Sequence, residues 1–140
     1  MAPNPNNMVE GIYSTLSGDG TLTALLGTYN SATAIFSGPR VPDQTGTPYL
    51  WIRPLVAVSG FSGRDFRGLE MTFDIVVAVE NTESQLILNN VMSRVITLLD
   101  GQDITISTDN FVLCRLNGTQ TLPNDGELTG LAMQFEFIVT

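Results

Sequence analysis

Ser62, Cys114 and the pair Asp100 and Asp103 are the side chains that could carry covalent or metal chemistry in this chain, and none has the partner that chemistry needs. A serine or cysteine nucleophile is activated by a neighbouring base, most often histidine, and the 140 residues include no histidine. Lysine is missing too, because Arg40, Arg53, Arg64, Arg67, Arg94 and Arg115 make up all 6 basic residues. That excludes a Walker-type phosphate loop and Schiff-base catalysis. Around Ser62 the spelling Gly60-Phe61-Ser62-Gly63 is neither a nucleophile elbow nor a dinucleotide fingerprint. Asp100 and Asp103 lack a third ligand for a metal, and Asp100-Gly101 is the ordinary spelling of a helix stop. Cys114 is the single cysteine, unable to form an internal disulfide or a thiolate zinc site, and it reads as a small core residue. No catalytic, cofactor-binding or metal-binding residue is assigned, and no cofactor is expected.

What remains is the chemistry of contact. Residues 55 to 68 form a Gly-rich, Arg-bearing connection between two apolar stretches, and Phe61, Arg64, Asp65, Phe66 and Arg67 cluster within it. Arginine beside aromatic residues on a loop is typical of protein interface anchors, and loops this long are more often functional than connective. A solvated hairpin end is the plain alternative. Phosphate binding is disfavoured, since two positive charges gather there against a net charge of −8. A second group, Glu70, Asp74 and Glu136, lies on the polar faces of two alternating stretches, where simple exposure to water is the default.

Fourteen acidic residues give the wrong sign for a protein that grips nucleic acid over its general surface. No apolar run approaches the roughly 18–20 residues of a membrane span. The start, Met1 to Asn7, has no signal-peptide blocks and reads as an extended arm, and the chain as a reduced, soluble protein assembled in the cytosol. In that setting Asn117-Gly118-Thr119 is a glycosylation site by spelling only.

The elements that must position these groups follow from periodicity. Val9, Ile12, Tyr13 and Leu16 trace a helical stripe after a candidate N-cap at Asn7. Gly18-Asp19-Gly20 breaks it, and Leu22, Leu25 and Leu26 add a further turn ending at Gly27, giving one bent helical element. Ala34-Ile35-Phe36 is a brief apolar island in the Ser-, Thr- and Gly-rich segment that follows, and Tyr49-Leu50-Trp51-Ile52 is a strand between prolines. Residues 69 to 80 alternate strictly, with Leu69, Met71, Phe73, Ile75, Val77 and Val79 on one face. A helix of roughly 83 to 99 follows a capping-box spelling at Thr82 to Gln85. Ile104 to Ile106 and Phe111 to Leu116 read as strands, Asn117-Gly118 and Asp125-Gly126 as turns or loops, and Leu128 to Val139 as the closing strand.

A chain of 140 residues with 43% apolar and 14% charged residues fits one globular domain, here 8 to 140 after the arm at 1 to 7. The element order predicts an α+β class: a single domain with a largely antiparallel or mixed sheet, two helices on one face and a long inter-strand loop.

In that order the chain resembles the tail-terminator and tail-completion proteins of long-tailed bacteriophages, the minor tail protein U type and related neck proteins. The resemblance spans roughly residues 8 to 139. It rests on the opening helix with Leu22-Thr23-Ala24-Leu25-Leu26-Gly27, the strand Thr47-Pro48-Tyr49-Leu50-Trp51-Ile52, the long alternating strand, the helix ending Val95-Ile96-Thr97-Leu98-Leu99-Asp100-Gly101, and the amphipathic closing strand. It implies a non-enzymatic virion protein of the tail–neck region, assembled in the host cytoplasm. Copies of the chain, usually six, would form a homohexameric ring that caps the tail tube, stops its polymerisation and meets the head connector. The implied partners are the chain itself, the tail tube protein, a head-completion or connector protein and, in a contractile tail, the sheath protein. Genomic DNA would pass through without specific binding, which suits an acidic ring. On this reading the 55 to 68 loop reaches a neighbouring subunit or the tube, and Glu70, Asp74 and Glu136 face the lumen or the tube. The arm at 1 to 7 and the segment 28 to 47 carry no residues that match the family. The rivals are a head-completion or head–tail joining protein and, from another class, a small ligand-binding or enzymatic α+β domain.

Overall fold

A computed structural model of the chain describes residues 5–38, 41, 46–53, 57–62, 67–80, 85–102, 112–122 and 128–139. The elements run α1 (Pro5–Ser17), α2 (Gly20–Leu25), β1 (Thr28–Tyr29), β2 (Ala32–Thr33), β3 (Ile35–Ser37), β4 (Tyr49–Ile52), β5 (Ala57–Ser62), β6 (Arg67–Glu80), α3 (Gln85–Leu99), β7 (Val112–Thr121) and β8 (Leu128–Val139). The strands β1 and β2 form a small hairpin of their own, and the other six make one mixed sheet. Its order is β3-β4-β6-β8-β7, with β5 also paired to β6. Only the β3–β4 pair is parallel among the described ladders. The α+β class with helices on a mixed sheet is as the element order predicts.

The axis of the fold is the β6–β8 pair, in register from Leu69 opposite Val139 to Glu80 opposite Leu128. Alternation puts Met71, Phe73, Ile75, Val77 and Val79 on one face of β6 and Met133, Phe135 and Phe137 on the same face of β8, all buried. Phe73 and Phe137 meet edge to face with centroids 5.8 Å apart. Three helices cover this face. Met8, Ile12 and Leu16 of α1, Leu22 of α2, and Leu88, Val91, Val95 and Leu99 of α3 join the same buried cluster, as a 3.6-residue period requires.

The helical opening is two helices, not one bent element. Asp19 is the reason: its backbone leaves the helical region (φ −94°, ψ 113°) and its carboxylate accepts a hydrogen bond from the Leu22 N–H, capping α2. The same carboxylate accepts from Nε and Nη2 of the Arg94 guanidinium at 2.9 and 2.8 Å, tying α2 to α3. The first helix begins at Pro5, so Asn7 lies inside α1 and is not its N-cap. Proline suits a first turn, where its missing N–H has no partner to lose.

Three further expectations change. The connection at 55 to 68 is largely a hairpin: β5 pairs with Arg67–Thr72 of β6, from Ala57 opposite Thr72 to Ser62 opposite Arg67. Glycine at 60 had suggested a loop, yet it is an ordinary position in β5. Asn117-Gly118 is not a turn, because β7 continues through it to Thr121 with a register shift between Leu116 and Gly118. An extra residue in a ladder is absorbed as a bulge, and this dipeptide tolerates one. The helix predicted over 83 to 99 spans Gln85–Leu99. Residues 82 to 84 of the capping box, Ile104 to Ile106 and Asp125-Gly126 lie outside the described residues.

Candidate interaction surface

The helices occupy one face of the sheet, and the charged groups gather on the other. The register of β6, β7 and β8 sets Thr72, Glu136 and Arg115 in one row and Asp74, Gln134 and Gly118 in the next. Glu70 stands two residues before Thr72 on the same face. The three carboxylates singled out from sequence are therefore neighbours on a single surface.

Two of them are paired. Arg115 donates to Glu136 at 2.6 Å, across adjacent strands. The Glu136 side chain is only 11% exposed whereas that of Arg115 is 62% exposed. Hydrogen bonding to Glu136 first, then its charge and that of Glu70, raises the pKa of the Arg115 guanidinium. Asp74 lies 4.0 Å from Arg53 and accepts a long hydrogen bond of 3.5 Å from the Gln134 amide. The face is thus acidic in balance but not a bare acidic field.

Arg53 also sits over the Trp51 ring, 5.2 Å from its centroid. The Trp51 indole donates to the Gly38 carbonyl at 2.9 Å, and an edge-to-face chain of half-buried rings runs from Tyr29 to Phe36 to Tyr49. Trp51 and Phe36 are register partners on β4 and β3. One corner of the face is therefore aromatic and the rest polar. At the β7 bulge a shallow depression of about 200 Å³ opens between Asp74 and Gln134 and the residues Gly118 to Gln120.

Of the proposed contact cluster, Phe61 pairs with Gly68 and Arg67 with Ser62 in the β5–β6 hairpin. Arg64, Asp65 and Phe66 lie outside the described residues. Sequence reasoning had left out Arg53, Arg115 and Trp51. The two arginines follow or sit within strands, and only cross-strand register shows that they meet Asp74 and Glu136.

Asp100 also has a larger part than stopping α3. Its carboxylate accepts from the Leu116 N–H at 2.8 Å, while the Gly101 N–H donates to the Cys114 carbonyl at 2.8 Å. The end of α3 thereby caps the outer edge of β7. Gly101 allows the turn by its positive φ of 73°. Cys114 is buried beneath, and burial first, then the Asp100 charge, pushes its thiol pKa well up. Among the described residues no three acidic or cysteine side chains are grouped so that they could hold a metal ion, and no helix is long and apolar enough to cross a membrane.

No protein-family model and no curated protein matches the chain. Solved structures share its fold. A chain of the virion of a native gene transfer agent particle superposes with a TM-score of 0.72 at 18% identity, covering 91% of this chain and 90% of its own. A second solved structure superposes with a TM-score of 0.63 at 12% identity, over 98% of this chain and 96% of its own. At these identities the likeness is one of fold, carried by nearly the whole length of each chain.

Proposed function

We propose that this chain is a structural protein of a phage-like virion, a tail terminator whose copies form a ring that caps the tail tube, stops its growth and joins the tail to the head connector. The observation that carries the reading is the likeness over nine-tenths of both chains to a component of a gene transfer agent virion. The arrangement of the sheet supports it: one face is filled by the helices, and the other presents rings, arginines and carboxylates suited to contact and not to catalysis. In this role the 55 to 68 segment, whose sequence carries Phe61, Arg64, Asp65, Phe66 and Arg67, reaches a neighbouring copy or the tube protein. Glu70, Asp74 and Glu136 face the lumen or the tube, where a net negative surface lets DNA pass without sticking. Head-completion or connector protein and, in a contractile tail, sheath protein are the further partners.

Replacing Arg64 and Arg67 together by alanine tests this segment. The double variant is expected to unfold at the wild-type temperature, yet to lose ring formation and tube capping. Normal tail length and infectivity in particles carrying it would contradict the assignment.

A further inference from the structure

The edges of the sheet are treated unequally. Strand β3 is an edge of only three residues. The first half of β7 is guarded: Asp100 and Gly101 occupy the outward groups of Leu116 and Cys114. Two stretches are left with outward backbone groups that no described residue pairs, namely β5 and the second half of β7.

The hydrogen-bonding phase identifies those groups. The Asp74 carbonyl accepts from the Arg53 N–H, so even-numbered residues of β6 turn their backbone groups toward β4 and β5. In the register of β5, this points Ala57, Ser59 and Phe61 inward and Val58, Gly60 and Ser62 outward. At the other edge the Leu122 N–H donates to the Gly130 carbonyl, so Leu122 faces β8. Alternation then turns Thr121 and Thr119 outward. Residues Asn117 to Thr121 are exposed throughout.

Neither stretch carries a charge or a proline: β5 is Ala-Val-Ser-Gly-Phe-Ser and the β7 half is Asn-Gly-Thr-Gln-Thr. Folded proteins usually blunt free edges with lysine, proline or a covering segment. In a chain of net charge −8, two copies meet most cheaply along stretches with no charge. The strand directions also fit. β5, β6, β8 and β7 alternate antiparallel, so a second copy rotated about an axis along the strands presents its β5 antiparallel to β7 of the first. The two stretches lie on opposite edges, which makes the contact head-to-tail and able to close into a ring.

We infer that copies of this chain join edge to edge, β5 of one pairing antiparallel with the Asn117–Thr121 half of β7 of the next, so that the sheet runs on across subunits. This rests on the assembly proposed above and names its interface.

Proline at an outward position removes one donor from the joint and none from the native ladders. Val58→Pro and Thr119→Pro should each fold but shift the native mass from assembly toward monomer by at least an order of magnitude in concentration, while Thr119→Val assembles as the wild type does. A second variant, Ser59→Cys with Gln120→Cys, keeps the test independent of proline. Within one chain these strands are three spacings or about 14 Å apart, so a bis-maleimide too short to span that distance should link copies into a covalent ladder. Wild-type assembly in both proline variants with no linkage between copies would overturn the edge joint and leave the ring reading standing. A wild-type chain that stays monomeric at every concentration and on purified tail tubes would overturn both.

Discussion

The two faces of β6 obey the same alternation and end in different roles. On the helix side Met71, Phe73, Ile75 and Val77 are fully buried, and one continuous cluster joins them to all three helices. On the other side Thr72 and Asp74 are half-exposed, while Val76 and Ala78 are buried beside Trp51 and Tyr49, their register partners on β4. The first face is decided by removal of apolar area from water, about 25 cal/mol per Å². The second is decided by pairing of groups that stay near water, where each contact is weak and geometry selects the partner. Stability is therefore concentrated on one face, and the other is free to specialise.

That contrast can be broken from the helix side first. Phe135→Ala should cost about 3–5 kcal/mol, the loss of a fully buried ring plus the cavity it leaves, measured by denaturant unfolding. On the opposite face Val76→Ala should cost about 1.5 kcal/mol, the transfer energy of two methyl groups. Arg115→Ala should lower the unfolding temperature, because Glu136 loses its guanidinium where it is largely shielded from water, but by less than Phe135→Ala does, because the Arg115 side chain itself is mostly exposed. Adding Glu136→Gln to that variant should recover part of the loss. Glu70→Gln should leave stability within about 0.5 kcal/mol of wild type, as for a surface change, and act only on assembly or DNA passage.

The helix side carries an ion pair, Asp19 with Arg94, and it sharpens the comparison through pH. Hydrogen bonds from Arg94 and from the Leu22 N–H hold the Asp19 carboxyl at about 2, below its ordinary 3.8. A lowered folded-state pKa stabilises above the unfolded value and loses its effect as pH falls through the folded one. The Asp19 contribution is thus full at neutral pH, begins to fade below about pH 4, and is gone below about 2. Asp19→Asn should remove this part of the acid destabilisation, read as a flatter unfolding midpoint between pH 4 and pH 2.

Much of the covered face was legible in the sequence, since the stripes at Leu88, Val91, Val95 and Leu99 and along 69 to 80 are periodic and filled with apolar residues. The hairpin was not. Glycine and serine at 59, 60 and 62 weaken strand propensity, and β5 exists because β6 offers it a long edge. The extent of β7 was hidden for a similar reason, as Asn117-Gly118 has the spelling of a turn but the geometry of a bulge. On the open face the carboxylates were visible as types, and their shared side followed from alternation. Their pairing with Arg53 and Arg115 depends on register between strands distant in sequence, which local patterning does not encode.

The most direct test of the central proposal is the native mass of the purified chain over a concentration series, with the particles imaged in negative stain. The expected result is a closed ring with a central hole, forming alone or on the end of purified tail tubes. A chain that remains monomeric throughout and leaves tube growth unchanged would contradict it.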